Sequence, residues 1–124
     1  MTLADQVFAL LRVFEGCKLT AYQDSGGVWT IGIGHTAGVK AGDTCTEEQA
    51  SAWLAEDAAA LFSIVPISPW RSAAYISFGY NAGRTSLELV LAGKAQLSSY
   101  IHDRHGNVLP GLVARRGLEA ALIG

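Results

Sequence analysis

Residues 17 to 42 hold six of the chain's fourteen glycines, interleaved with Tyr22, Val28, Trp29, Ile31 and Ile33. Glycine at that density disfavours a helix, whereas β-branched and aromatic residues between turn formers favour short antiparallel strands. On either side the periodicity becomes helical. Leu3, Val7, Leu10, Leu11 and Phe14 form one stripe behind a Thr2/Asp5 capping signal, and Gly16 stops it. Thr46-Glu-Glu-Gln49 is a capping box, after which Ala50, Trp53, Leu54, Ala58, Leu61, Phe62 and Val65 recur at helical spacing until Pro66. Asp57 interrupts that stripe and is expected at a cleft or in solvent. The pattern predicts an α+β fold in which a small antiparallel lobe is bracketed by helices.

Beyond Pro66, Ser68 is expected to cap a helix with Pro69 at its first position, running through Tyr80 and Asn81 to Gly83. Short helices are expected around 85–92 and 96–103, and a last one begins at Pro110. The 124 residues make one domain, 1–124, long enough to bury roughly two-thirds of the unfolded surface. Half the residues are hydrophobic and 16% are charged, which favours folding over disorder. The most apolar stretch, 58–69, is short and carries two prolines, so no membrane span is expected. No signal peptide is evident at the N-terminus.

Three residues carry the chemistry. Glu15 closes the first helical stripe, Asp24 falls in a Gln-Asp-Ser-Gly-Gly turn, and Thr30 lies on the strand beyond. They sit in one segment, Glu15-Gly-Cys-Lys-Leu-Thr-Ala-Tyr-Gln-Asp24-Ser-Gly-Gly-Val-Trp-Thr30-Ile-Gly-Ile-Gly-His35. This segment resembles the catalytic motif of the phage-type lysozymes, the endolysins of glycoside hydrolase family 24. The resemblance resumes in Phe78-Gly-Tyr-Asn81-Ala-Gly83 and Gly111-Leu-Val-Ala-Arg115-Arg116-Gly-Leu-Glu119. It implies a lysozyme-like, two-lobed domain: N-terminal helix and β lobe over about 1–45, a connecting helix over about 46–65, and a helical lobe over about 66–124.

Glycosidic cleavage needs a proton for the leaving oxygen and a second group that attacks, or activates water against, an oxocarbenium-like carbon. Glu15 reads as the acid, because the partial negative charge of a helix end helps a carboxyl keep its proton. Leu11, Phe14 and Leu19 are expected to surround it. The resemblance implies that Asp24 and Thr30 position and activate water, with inversion. Taken alone, a helix-end Glu, a turn Asp and a strand Thr are also common structural choices.

The resemblance also places Asn81 against the saccharide, while a left-handed helix end would use the same residue type. Tyr80 reads either as a sugar-stacking face or as core. His35 is expected near the cleft, touching substrate or held by a carboxylate or carbonyl. Trp29 and Trp70 read as core. His102 and His105 read as a solvated helix end. Arg115 and Arg116 lie about 100° apart on a helix, so only one is expected to face the cleft. The family implies that an Arg of this helix reaches the catalytic Glu, and Arg115 is preferred. The alternative makes both arginines surface partners of Glu119. Between Gly83 and Pro110 the chain is shorter than phage-type lysozymes, and a Phe common after the Asn-x-Gly turn is absent, which predicts a reduced cleft wall.

Charge is uneven: residues 1–65 carry three basic and eight acidic groups, residues 66–124 six basic and three acidic. A basic lobe suits the carboxylates of peptidoglycan, although charged outer faces of helices also account for it. The net charge of −2 argues against nucleic acid. Cys17 and Cys45 are expected as reduced thiols, with a bridge as the alternative. Neither metal nor cofactor is implied, and a monomer is expected. The expected function is muramidase cleavage of the β-1,4 bond between N-acetylmuramic acid and N-acetylglucosamine in bacterial peptidoglycan. The alternatives are a virion-associated peptidoglycan-binding module with little turnover, and a lytic transglycosylase. The protein would reside in the host cytoplasm until a holin, or delivery in a virion, brought it to the wall.

Overall fold

Thr2 and Asp5 open the first helix by exchanging bonds: Asp5 N donates to Thr2 Oγ1 at 3.1 Å and Thr2 N to Asp5 Oδ2 at 2.9 Å. The computed structural model describes all of residues 1–124. Helix α1 spans Leu3–Glu15 and turns Val7, Leu10 and Leu11 inward, all buried. The chain leaves it at Gly16, whose N–H still bonds Arg12 O at 3.0 Å. Glu15 is therefore the helix's last residue.

Strands β1 (Lys18–Gln23) and β2 (Trp29–Gly32) form an antiparallel pair, with Tyr22 opposite Thr30 and Gln23 opposite Trp29. The turn between them is closed by Asp24 N to Val28 O at 2.9 Å. On the other edge of β1, Ala21 N bonds Asp43 O and Cys45 N bonds Leu19 O, so the returning loop acts as a rudimentary third strand. That loop delivers the Thr46 capping box and α2, Glu47–Phe62.

Helix α3 (Arg71–Ala82) is the central pillar, packed against α1, α2, α4 (Arg84–Leu91) and α5 (Pro110–Ile123). Phe78 and Ile76 of α3 are fully buried with Leu11 of α1, Leu54 of α2 and Leu87 of α4. Each such side chain contributes roughly 1.5–3 kcal/mol of burial. Gly79 permits the closest approach: a Cβ there would meet Leu87 Cδ2 at 2.7 Å and Leu61 Cδ2 at 3.2 Å. The architecture is α+β, with five helices and one two-stranded sheet. No helix is long and apolar enough to cross a membrane.

Two expectations are corrected. Helix α3 starts at Arg71 and not behind a Ser68 cap. Trp70 takes φ 59°, which interrupts the helical path, and its N–H is held by Gln6 Oε1 at 2.9 Å. The hydroxyl at this junction belongs to Ser72, which accepts from Ser68 N at 2.7 Å and donates to Pro66 O. Trp70 is partly exposed, so it is not a core residue.

The helix expected over 96–103 shrinks to one 3-10 turn, Leu97–Ser99, followed by a tight hairpin with His102 opposite Val108. Asp103 Oδ1 accepts from His105 N at 2.8 Å and Asn107 N at 2.9 Å. A short acidic side chain satisfying nearby N–H groups competes with helix formation. His102 therefore precedes a turn and His105 lies within it, so neither marks a helix end.

Candidate active site

The end of α1, the β1–β2 hairpin and the end of α3 converge on one cleft, with α5 behind α1. Glu15 projects from the last turn of α1 with its side chain 19% exposed. Its Oε1 accepts from Arg115 Nη1 at 2.5 Å, and Oε2 lies against Gly34. Phe14 lies under the Arg115 guanidinium, 4.7 Å from the ring centroid. Of the apolar residues expected around the acid, Leu11 is buried in the core and Leu19 is exposed. Gly34 and Tyr80 line the cleft beside Glu15.

Asp24 is held by its own turn. Gly26 N and Val28 N donate to Oδ1 at 2.9 and 2.8 Å, which leaves Oδ2 without a protein donor. Thr30 is buried, and its hydroxyl donates to Val28 O at 2.9 Å. With its proton engaged, Oγ1 can only accept from a further group. Glu15, Asp24 and Thr30 line one cleft of about 240 Å³, with Tyr22, Gly34, Thr36, Tyr80 and Asn81. An adjoining pocket of about 250 Å³ shares Gly34, Thr36 and Tyr80 and adds Asp57 and Arg84.

Tyr80 ties the lobes together: its Oη donates to Ile33 O at 2.5 Å, and its ring edge lines the cleft. Burial, reinforced by the charges of Asp57 and Glu15, pushes the phenol well above its ordinary range. Asn81 is exposed, and its Oδ1 accepts from Arg116 Nη2. A guanidinium offers donors only, so this contact assigns the amide oxygen and turns the NH2 away from Arg116.

His35 lines neither pocket. It is 8% exposed, stacked on Trp53 at 4.5 Å, and hydrogen-bonded through Nδ1 to Asp57 Oδ2 at 2.7 Å. Its partner Asp57 lines the adjoining pocket. The interruption in the α2 stripe was the sequence signal for that position.

Two features escaped the sequence reading. Tyr22 faces the cleft, and burial together with the charges of Glu15 and Asp24 raises its phenol. Its register opposite Thr30 puts both on one face, which the hairpin turn alone implies. The second is Glu119, which lies behind the expected Arg115–Glu15 contact. Arg115 and Arg116 are both buried, at 6% and 3% exposure, and both bond a fully buried Glu119. The surface-pair alternative for these residues is thus corrected. Burial lowers the Arg116 pKa, with the Glu119 charge acting against it.

A helix-end carboxyl facing a turn-held carboxylate and a strand hydroxyl across a groove is the layout of a glycoside hydrolase. The chain matches the family model described as phage lysozyme over residues 12–119, and it belongs to that family. It is 32% identical over 143 aligned residues to an endolysin of Acyrthosiphon pisum secondary endosymbiont phage 1, covering 98% of this chain and 97% of that protein. Its structure is similar to the endolysin from Escherichia coli O157:H7 phage FAHEc1, with TM-score 0.78 and 28% identity over 99% of this chain and 93% of that one. It is also similar to the muramidase domain of SpmX from Asticaccaulis excentricus, with TM-score 0.74 and 27% identity over 96% and 94% of the two chains.

Proposed function

We propose that the protein hydrolyses the β-1,4 bond between N-acetylmuramic acid and N-acetylglucosamine, with Glu15 as general acid and Asp24 and Thr30 holding the water. The carrying observation is that all three open onto one cleft with unused valences of the needed kind. Arg115 occupies Oε1 of Glu15, so the proton for the leaving oxygen resides on Oε2. Asp24 Oδ2 and Thr30 Oγ1 are both acceptors. A water donating one hydrogen to each presents its lone pair to the anomeric carbon. As the glycosidic bond breaks, the Glu15 proton moves to the leaving oxygen. The water oxygen bonds the anomeric carbon and its proton passes to Asp24. Proton exchange with solvent restores Glu15.

Asn81 and Tyr80 supply the substrate contacts in this reading, the amide NH2 suiting an acetamido carbonyl. Relatives of the chain are endolysins, which places the action at the cell wall. We propose that the protein reaches it from the cytoplasm through a holin lesion or within a virion, and acts as a monomer.

Glu15→Gln keeps the shape and removes the transferable proton. General acid catalysis is worth on the order of a hundred- to ten-thousand-fold, and clearing of permeabilised cells should fall accordingly. A folded Glu15→Gln variant that clears cells at the wild-type rate overturns the assignment. Mass spectrometry of wild-type muropeptides should show hydrated reducing ends. Anhydro products, lighter by one water, would identify a lytic transglycosylase, and no released products a binding module.

A further inference from the structure

Glu119 is fully buried, yet it touches neither the cleft nor solvent. Its Oε2 accepts from Ser77 Oγ at 2.6 Å and Arg115 Nε at 3.3 Å, and its Oε1 from Arg116 Nη1 at 2.6 Å. Arg115 then reaches Glu15 with Nη1, and Arg116 reaches Asn81 with Nη2. One carboxylate thus stands behind two groups that open onto the cleft. We infer that Glu119 is a positioning residue that sets both the aim of Glu15 and the polarity of Asn81. The inference rests on the proposed roles of those two residues.

The geometry makes the case. A guanidinium is planar, so two fixed donors determine where the third points. Arg115 is fixed by Glu119 at Nε and by Ser77 O at Nη2, 3.0 Å away, which leaves Nη1 one direction. Arg116 is fixed by Tyr100 O at Nε and Glu119 at Nη1, which aims Nη2 at the Asn81 oxygen. With its oxygen held by an all-donor group, Asn81 keeps its NH2 free to donate to a sugar. A buried charge triad of this kind adds little net stability over an apolar isostere. Its distinctive product here is direction.

The test is steady-state kinetics on soluble peptidoglycan fragments, well below each variant's melting temperature. Glu119→Gln keeps the volume but cannot accept at both ends. It should lower kcat on the order of 10–100-fold, the range found when outer partners of metal-ligating groups are removed, and raise KM several-fold. In an Arg115→Lys background the further kcat loss should shrink to about threefold or less, and in Asn81→Ala the KM effect should vanish, because shared pathways are not additive. Unchanged kcat and KM with only a lower melting temperature, or full additivity in both backgrounds, overturns the inference. Should Glu119→Gln fail to fold, Ser77→Ala decides. It removes the 2.6 Å bond to Glu119 and a longer one, 3.3 Å, from Arg115 Nη2 to Ser77 Oγ, without altering charge. A several-fold kcat loss at constant KM that shrinks in a Glu119→Asp background supports the inference, whereas unchanged kcat, or a loss equal in that background, overturns it. An active Glu15→Gln variant would instead refute the underlying reaction, whatever Glu119 does.

Discussion

A methyl group on Gly34 would stand 2.9 Å from Glu15 Oε2 and 3.1 Å from a ring carbon of Tyr80. The backbone of the β lobe therefore presses directly against the carboxyl at the end of α1. Gly34 also sits at φ 74°, where a Cβ is strained whatever the space.

Gly34→Ala should consequently damage function more than stability. A Cβ strained at positive φ costs on the order of 1 kcal/mol. Displacing the acid by about an ångström should cost on the order of a hundred-fold in kcat. Thermal melting and cell clearing measured together check this. A variant with wild-type kcat would show that Glu15 can shift without consequence.

Arg115→Lys and Arg116→Lys should separate. Lysine can hold a charge near Glu15 but cannot bond Glu15, Glu119 and Ser77 at once, so Arg115→Lys should cut kcat substantially. Arg116 bonds Tyr100, Glu119 and Asn81 and lies over Phe78, so Arg116→Lys should have a milder effect on kcat and raise KM. Both remove buried charge-assisted bonds, at about 1.5–3 kcal/mol each by denaturant melts. Equal kcat losses would contradict the division of labour.

The product's stereochemistry tests the water site. Water held by Asp24 and Thr30 enters opposite the leaving oxygen, so the first reducing end should be the α-anomer. Rapid proton NMR of early product reads this directly. A first-formed β-anomer would make Asp24 a nucleophile and leave Thr30 without its role.

The hairpin at Asp103 should loosen in acid. The backbone N–H of Asn107, with that of His105, holds the Asp103 carboxyl below its ordinary value of 3.8. A depressed carboxylate contributes stability above its unfolded value, lost as pH falls through the lowered folded one. Asp5 is lowered likewise by the Thr2 backbone at the start of α1. Amide exchange at His105 and Asn107 should therefore accelerate below about pH 4 relative to α3, the reference pKa lying near there. Protection that persists to lower pH would mean the carboxylate bonds contribute little.

What the sequence determined by itself is what forms within a few residues. The Thr2/Asp5 and Thr46/Gln49 boxes bond residues three apart, and Gly16 ends α1 where the apolar stripe stops. Glu15, Asp24 and Thr30 stand out through the motif their segment resembles, and one helix end and one hairpin bring all three to one cleft. Local bonds also explain the errors at Ser68 and over 96–103. There several short-range partners compete, and Ser72 and Asp103 prevail over patterns that periodicity alone favours. The contact of Arg115 with Glu15 spans one hundred positions, and only α5 packing against α3 beside the end of α1 brings it about. Whether Arg115 or Arg116 points at the acid, and that Glu119 lies buried behind both, follow from that packing. That His35 is buried on α2 while Asp57 lines the adjoining pocket follows from α2 packing on β2. Spacing places a residue on a face of its own helix, but the neighbouring elements decide what that face meets.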